Sequence, residues 1–195
     1  CLIILRCPDI SKILLTAFVI RILFLLTNNY LFFLPDGDMD GLGFELWAWR
    51  WSENGIIDIF RHFKGPNPYF ISFILAIPYS IFGRSMLMLQ SFSLLLGIFS
   101  VYLGWSLGKK LWDNQAGIKV GWTMALFPTL VSYSVLVMRE PYIVFFLIIA
   151  IYGVVSWFKD GNNFKSILLV ILGFVGATFF HGASIVGLIV FLFII

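Results

Sequence analysis

An all-α, polytopic transmembrane bundle is the fold class this sequence predicts, on three observations. Hydrophobic residues fill 61% of the 195 positions and charged residues only 12%, against roughly 45–50% and 25% in soluble domains. Mean hydropathy is +0.99. Apolar runs near the ~20 residues a helix needs to cross a bilayer recur along the chain. Soluble globular folds are thereby excluded. The net charge of +3, with no basic run longer than Lys109-Lys110, leaves no footprint for nucleic acid. Cys1 and Cys7 have no His or carboxylate cluster beside them, so they indicate neither a disulfide framework nor a metal site.

Taken in order, the first apolar run is Ile13 to Leu34. It is too long for the hydrophobic segment of a signal peptide and no small-residue cleavage site follows, so it reads as a retained helix. Pro35 to Pro68 is the least apolar stretch, and Tyr69 to Phe82 follows it with Pro78 inside. At about 14 residues, that segment suits an interfacial or re-entrant piece better than a crossing. Met86 to Leu107, Val120 to Val137, Pro141 to Trp157 and Ser166 to Phe180 read as further crossings. A last run, Ala183 to Ile195, has no polar flank, so the chain reads as a piece of a longer membrane protein.

Basic residues favour the cytoplasmic side, which tests whether Tyr69 to Phe82 crosses. With the N-terminus inside and Arg21 left within the membrane, a crossing puts Arg6, Lys12, Arg84 and Arg139 inside and the other eight Lys and Arg outside. Without the crossing, Arg6, Lys12, Lys109, Lys110, Lys119, Lys159 and Lys165 lie inside, seven against five. The second arrangement obeys the rule. It makes 35–85 one outer loop and puts the turn at Met138 to Pro141 on the same outer face. Arg21, about nine residues into the first helix, reads as structural, snorkelling or facing a neighbouring helix.

The outer loop carries the candidate chemistry. Asp36, Asp38 and Asp40 stand at alternate positions, and three carboxylates so close repel one another and offer a general base or a divalent-cation site. The plainer alternative is a solvated turn that caps the next helix. Phe44, Trp47 and Trp51 then recur at helical spacing with Leu46 and Trp49 nearby, while Glu45, Arg50 and Glu53 take other positions. Such an amphipathic helix suits the membrane interface. It would hold Asp40 at headgroup depth, beside the positive end of the helix dipole. Arg61, His62 and Lys64 close a shorter amphipathic piece and suit a lipid phosphate or anionic headgroups equally. Arg139 and Glu140 sit between two apolar helices, where Arg139 is a candidate phosphate fork. His181 lies near the outer end of the following helix, as a substrate contact or a structural helix end.

With these elements in order, the chain resembles the GT-C class of polyprenyl-phosphate-sugar-dependent glycosyltransferases, which includes the protein O-mannosyltransferases. Asp40, Phe44, Ala48 and Gly55 are similar to the acidic residue, aromatic, small residue and glycine of that class's first outer loop and juxtamembrane helix. Asn67-Pro-Tyr-Phe through Ile81-Phe-Gly83, Gly108-Lys-Lys-Leu-Trp, Leu126-Phe-Pro128 and Met138-Arg-Glu-Pro resemble its later elements. The chain has Asn67 where members of the aminoarabinose type carry a lysine, with Lys64 nearby, and Asp-Gly-Asp-Met-Asp where an Asp-Glu pair is usual.

The resemblance implies a GT-C-like bundle in a bacterial inner membrane, N-terminus inside. It implies inverting transfer of a sugar from a polyprenyl-phosphate donor to a hydroxyl of a glycan, lipid or protein on the outer face. Asp40 would be the base, with Asp36 and Asp38 as alternates. Arg139, Glu140, Lys64, Arg61, Asn67, Tyr69 and His181 would be candidate substrate contacts. No metal is required by this scheme, although a divalent cation on the three aspartates would fit some members. A polysaccharide polymerase or flippase, or a transporter, is the alternative. Those would need cationic residues along an intramembrane path or helices broken at mid-membrane.

Overall fold

The computed structural model describes residues 8–161 and 163–194, so Cys1, Arg6, Cys7 and the final residue of the last apolar run lie outside the described residues. It is helical, with no strand among them. In chain order the helices are α1 (Pro8–Tyr30), α2 (Asp40–Ser52), α3 (Ile56–Arg61), α4 (Phe70–Phe82), α5 (Met86–Leu111), α6 (Asn114–Leu126), α7 (Pro128–Tyr133), α8 (Glu140–Asp160) and α9 (Phe164–Phe180). A 3-10 turn, Gly182–Ser184, leads into α10 (Ile185–Ile194). Among the described residues three helices are long and apolar enough to cross a membrane: Ile10–Tyr30, Met86–Leu111 and Glu140–Asp160.

Local chemistry explains most boundaries. Ser85, Asp113 and Asn163 each turn a side-chain oxygen onto a backbone N–H of the first turn of α5, α6 and α9, which satisfies donors a helix start leaves free. Gly83 and Gly161 follow α4 and α8 at φ of 81° and 84°, where an L side chain is disfavoured. Pro141 sits in the first turn of α8, where its missing N–H costs nothing. α8 and α9 pack closely enough that a Cβ on Gly173 would lie 2.4 Å from the Ala150 nitrogen.

Helices extend past the apolar runs at several ends, as at Pro8, Leu111 and Asp160, and two further differences from the sequence reading change the architecture. The first helix stops at Tyr30 rather than Leu34: Asn28 is buried, and its Oδ1 accepts the Leu34 N–H at 2.9 Å, folding the chain back. The run Val120 to Val137 is not one helix. Pro128 has no N–H for the Met124 carbonyl, so α6 ends at Leu126, a short α7 follows, and Val135 to Met138 form a buried turn. Their apolarity reflects burial inside the protein. Lipid contact is not required to explain it.

Arg21 holds this break. It is 1% exposed, and its guanidinium donates to the carbonyls of Met124 (3.4 Å) and Ala125 (3.1 Å), to Ala17 (3.2 Å) and to Ser134 Oγ (3.0 Å). Two of these acceptors are last-turn carbonyls of α6, which the proline and the turn leave without helical partners. The structural reading of Arg21 is thereby given a specific content: it caps a broken helix from a neighbouring one.

One core cluster joins α2, α4, the start of α5 and the 135–138 turn, and a second joins α1, α5 and α6. The face that α2 buries is Gly41, Phe44, Glu45, Ala48 and Ser52, while Trp47 is 40% exposed. The tryptophan stripe therefore is not the packed face. Small residues let α4 approach, and Ser72 Oγ on α4 donates to the Phe44 carbonyl at 2.8 Å.

Candidate functional site

The site is assembled by the contact of two irregular segments, 35–39 and 134–139. Tyr133 Oη donates to Asp36 Oδ2 at 3.0 Å. A Cβ on Gly37 would meet Leu136 Cδ2 at 3.1 Å, and one on Gly41 would lie 4.0 Å from Val137 nitrogen. Asp36 itself takes φ of 66°, a left-handed conformation that Asp tolerates better than most residues. This interlock brings the first turn of α2 beside the first turn of α8.

Between them lies a cavity of about 280 Å³ lined by Asp40, Phe44, Trp47, Pro68, Tyr69 and Arg139. Three sequence-predicted site residues, Asp40, Tyr69 and Arg139, thus share one wall-to-wall space. Asp40 is in the first turn of α2, beside the free N–H groups of the helix start. Tyr69 packs edge-on against Phe44 and Trp47, ring centres 6.0 Å from each, so the aromatic wall is continuous. Asn67 builds that wall from behind: its Oδ1 accepts the Tyr69 N–H and its Nδ2 donates to the Gly65 carbonyl, both at 2.8 Å.

The remaining candidates stand elsewhere. Asp36 is engaged by Tyr133, and Asp38 is exposed. Among the described residues no group of three His, Cys, Asp or Glu could hold a metal ion; Asp36 faces Tyr133 while Asp40 lines the cavity. Arg61 pairs with Asp58 at 3.3 Å. His62 stacks on Trp51, ring centres 5.1 Å apart. Lys64 and His181 are exposed, and none of these four lines the cavity.

Glu140 parts company with Arg139. Their side chains are only 3.5 Å apart at Nε and Oε1, yet Arg139 lines the Asp40 cavity and Glu140 lines a second one with Arg21. Two apolar hollows of about 480 and 370 Å³ flank α4, and both include Ile74, Leu96 and Tyr142. Phe70, next to Tyr69, lines the smaller.

Sequence reasoning missed the clamp that fixes α2. Glu45 is 2% exposed; Arg84 grips it through Nε (2.9 Å) and Nη2 (2.8 Å), and Tyr79 Oη donates at 2.8 Å. Burial pushes the Glu45 carboxyl up, but the hydrogen bonds from Arg84 and Tyr79 and the guanidinium charge outweigh it and leave the pKa below its ordinary range. Burial and the Glu45 bond push the Tyr79 phenol up. No family model, curated protein or solved structure matches this chain.

Proposed function

We propose that this chain belongs to a polytopic GT-C-like membrane glycosyltransferase, with the Asp40 cavity as its active site. One observation carries the reading: a carboxylate at a helix start, an arginine and an aromatic wall line one small cavity. The apolar hollow that opens at Phe70, next to Tyr69, suits the chain of a lipid-linked donor, and the charge count of the loops supports an outer-face cavity with the N-terminus inside.

In the proposed reaction the acceptor hydroxyl oxygen attacks the anomeric carbon of a polyprenyl-phosphate sugar. Asp40 takes the hydroxyl proton. The bond from that carbon to the phosphate oxygen breaks, and its electron pair leaves with the polyprenyl phosphate. Charge grows on that phosphate in the transition state, where the Arg139 fork stabilises it. Membranes carrying the full-length protein are given labelled polyprenyl-phosphate sugar. Asp40→Asn abolishes transfer while leaving expression intact; normal transfer by that variant ends the assignment.

A transporter is the second reading. The interruption of α6–α7 at Pro128 and the buried Arg21 beside it favour it, since broken helices and intramembrane charges mark substrate paths. Uptake of label without transfer distinguishes it.

A further inference from the structure

Asp40, Gly43 and Trp47 all line the Asp40 cavity, and their spacing puts them on one face of α2. The middle position of that stripe carries no side chain. Packing does not require this: a Cβ built on Gly43 would meet no heavy atom within 4 Å, whereas one on Gly37 would lie 2.9 Å from Asn28 Oδ1 and one on Gly41 would touch the Asp36 carbonyl oxygen at 3.6 Å. Nor does the backbone. The positive-φ glycines are Gly55, Gly65, Gly83 and Gly161, and the Gly43 N–H donates to the Met39 carbonyl at 3.0 Å as that of any other residue would. Glycine within a helix is disfavoured relative to alanine, so at this position α2 gives up stability and gains only open space.

That space lies where the walls of the cavity converge. Asp40 stands one turn before Gly43 and Trp47 one turn after it, with Tyr69 and Arg139 completing the lining. A side chain at position 43 would stand between the carboxylate and the indole. The bare Cα instead lets a ligand approach the backbone closely and reach both. A cavity of ~150 Å³ takes benzene, so the 280 Å³ here takes about eleven heavy atoms. A hexosyl group has that size.

We infer that Gly43 is the specificity-determining position of the Asp40 cavity, the floor across which a hexosyl ring lies between Asp40 and the aromatic wall. The identity of the ligand rests on the glycosyltransferase reading. The open space at Gly43 does not. On the same scale, alanine at this position leaves room for about ten heavy atoms, enough for a pentosyl group and too tight for a hexosyl group, and leucine leaves about seven and admits neither.

The test measures binding and transfer by the full-length protein in nanodiscs, using labelled neryl phosphate that carries glucose, mannose or arabinose. Gly43→Ala melts at or above the parent, because it fills open space and favours the helix. It weakens binding of the hexose donors by about fivefold or more, as overpacking does, and weakens the arabinose donor less. Gly43→Leu removes binding of all three. A merely structural glycine would instead lower the melting temperature and affect the sugars alike. The inference is overturned if the parent binds no hexose donor, if either variant weakens hexose binding by less than that, if alanine weakens arabinose as much as the hexoses, or if Gly43→Ala melts below the parent. Binding by the parent in the expected pattern without transfer to any acceptor removes the glycosyltransferase reading and leaves the role of Gly43 standing. Transfer by the parent that Gly43→Leu matches removes the role of Gly43 and leaves the reading.

Discussion

Glu45 and Arg84 form a bidentate pair, 2.9 and 2.8 Å, that ties the middle of α2 to the linker between α4 and α5. The carboxylate is buried and the guanidinium side chain is 46% exposed, so the pair gains direction from its fork geometry and from Tyr79 more than from bare Coulomb attraction.

Glu45→Ala leaves the Tyr79 hydroxyl and the Arg84 fork without their acceptor. A loss of about 2–3 kcal/mol is expected from removing a buried acceptor of charged bonds. Thermal unfolding in detergent measures it; an unchanged melting temperature contradicts the clamp.

Acid should act through the same residue. Because the folded-state pKa of Glu45 lies below its unfolded value, its contribution is present above the unfolded pKa and is lost as pH falls through the folded one. Stability measured across the carboxylate range should therefore fall toward acid, and Glu45→Gln should flatten that limb. A variant whose acid limb is as steep as the parent's places the titration elsewhere.

Gly37 has no room for a side chain. A Cβ would sit 2.9 Å from Asn28 Oδ1 and 3.0 Å from the Leu34 carbonyl oxygen. Gly37→Ala should displace the loop, costing about 1–3 kcal/mol as overpacking does. The same shift moves Asp40 from Arg139, so transfer activity should fall even at temperatures where the variant stays folded.

Arg139→Lys keeps the charge and loses the planar fork. If Arg139 holds the departing phosphate, Lys should retain a small part of the transfer rate and Ala almost none. Equal rates for the parent and Arg139→Ala would reduce Arg139 to an interfacial anchor.

Tyr69→Ala opens one aromatic wall of the Asp40 cavity without removing a charged group. Donor affinity should weaken by about tenfold with expression unchanged, read as a raised KM in the same assay.

Much of this was legible in the chain. Apolar runs of the right length located α1, α5 and α8, and Asp40, Tyr69 and Arg139 were singled out before any geometry joined them. Their meeting depends on Asp36 reaching Tyr133 across 97 positions, a relation no periodicity reports. The helical spacing of Phe44, Trp47 and Trp51 suits the membrane interface and says nothing of what α2 packs against, so it gives no sign that Glu45 is buried. In fact Gly41, Ala48 and Ser52 make room for α4, and Glu45 is buried with them because Arg84 neutralises it. The break at Pro128 was visible as a proline, but hydropathy carried the span through to Val137. Average apolarity cannot distinguish a residue facing lipid from one plugging a turn.

Arg139 and Glu140 are consecutive at the start of α8, yet they line different cavities. Neighbouring residues leave a helix about 100° apart, so a twist of this first turn that carries Arg139 further into one space withdraws Glu140 from the other. The two cavities would then behave as opposed pans on one beam. Any ligand of the second cavity that draws Glu140 inward should then weaken donor binding by the same factor that donor weakens it. Affinities measured singly and together give that factor, and a value of one would mean that the beam does not move.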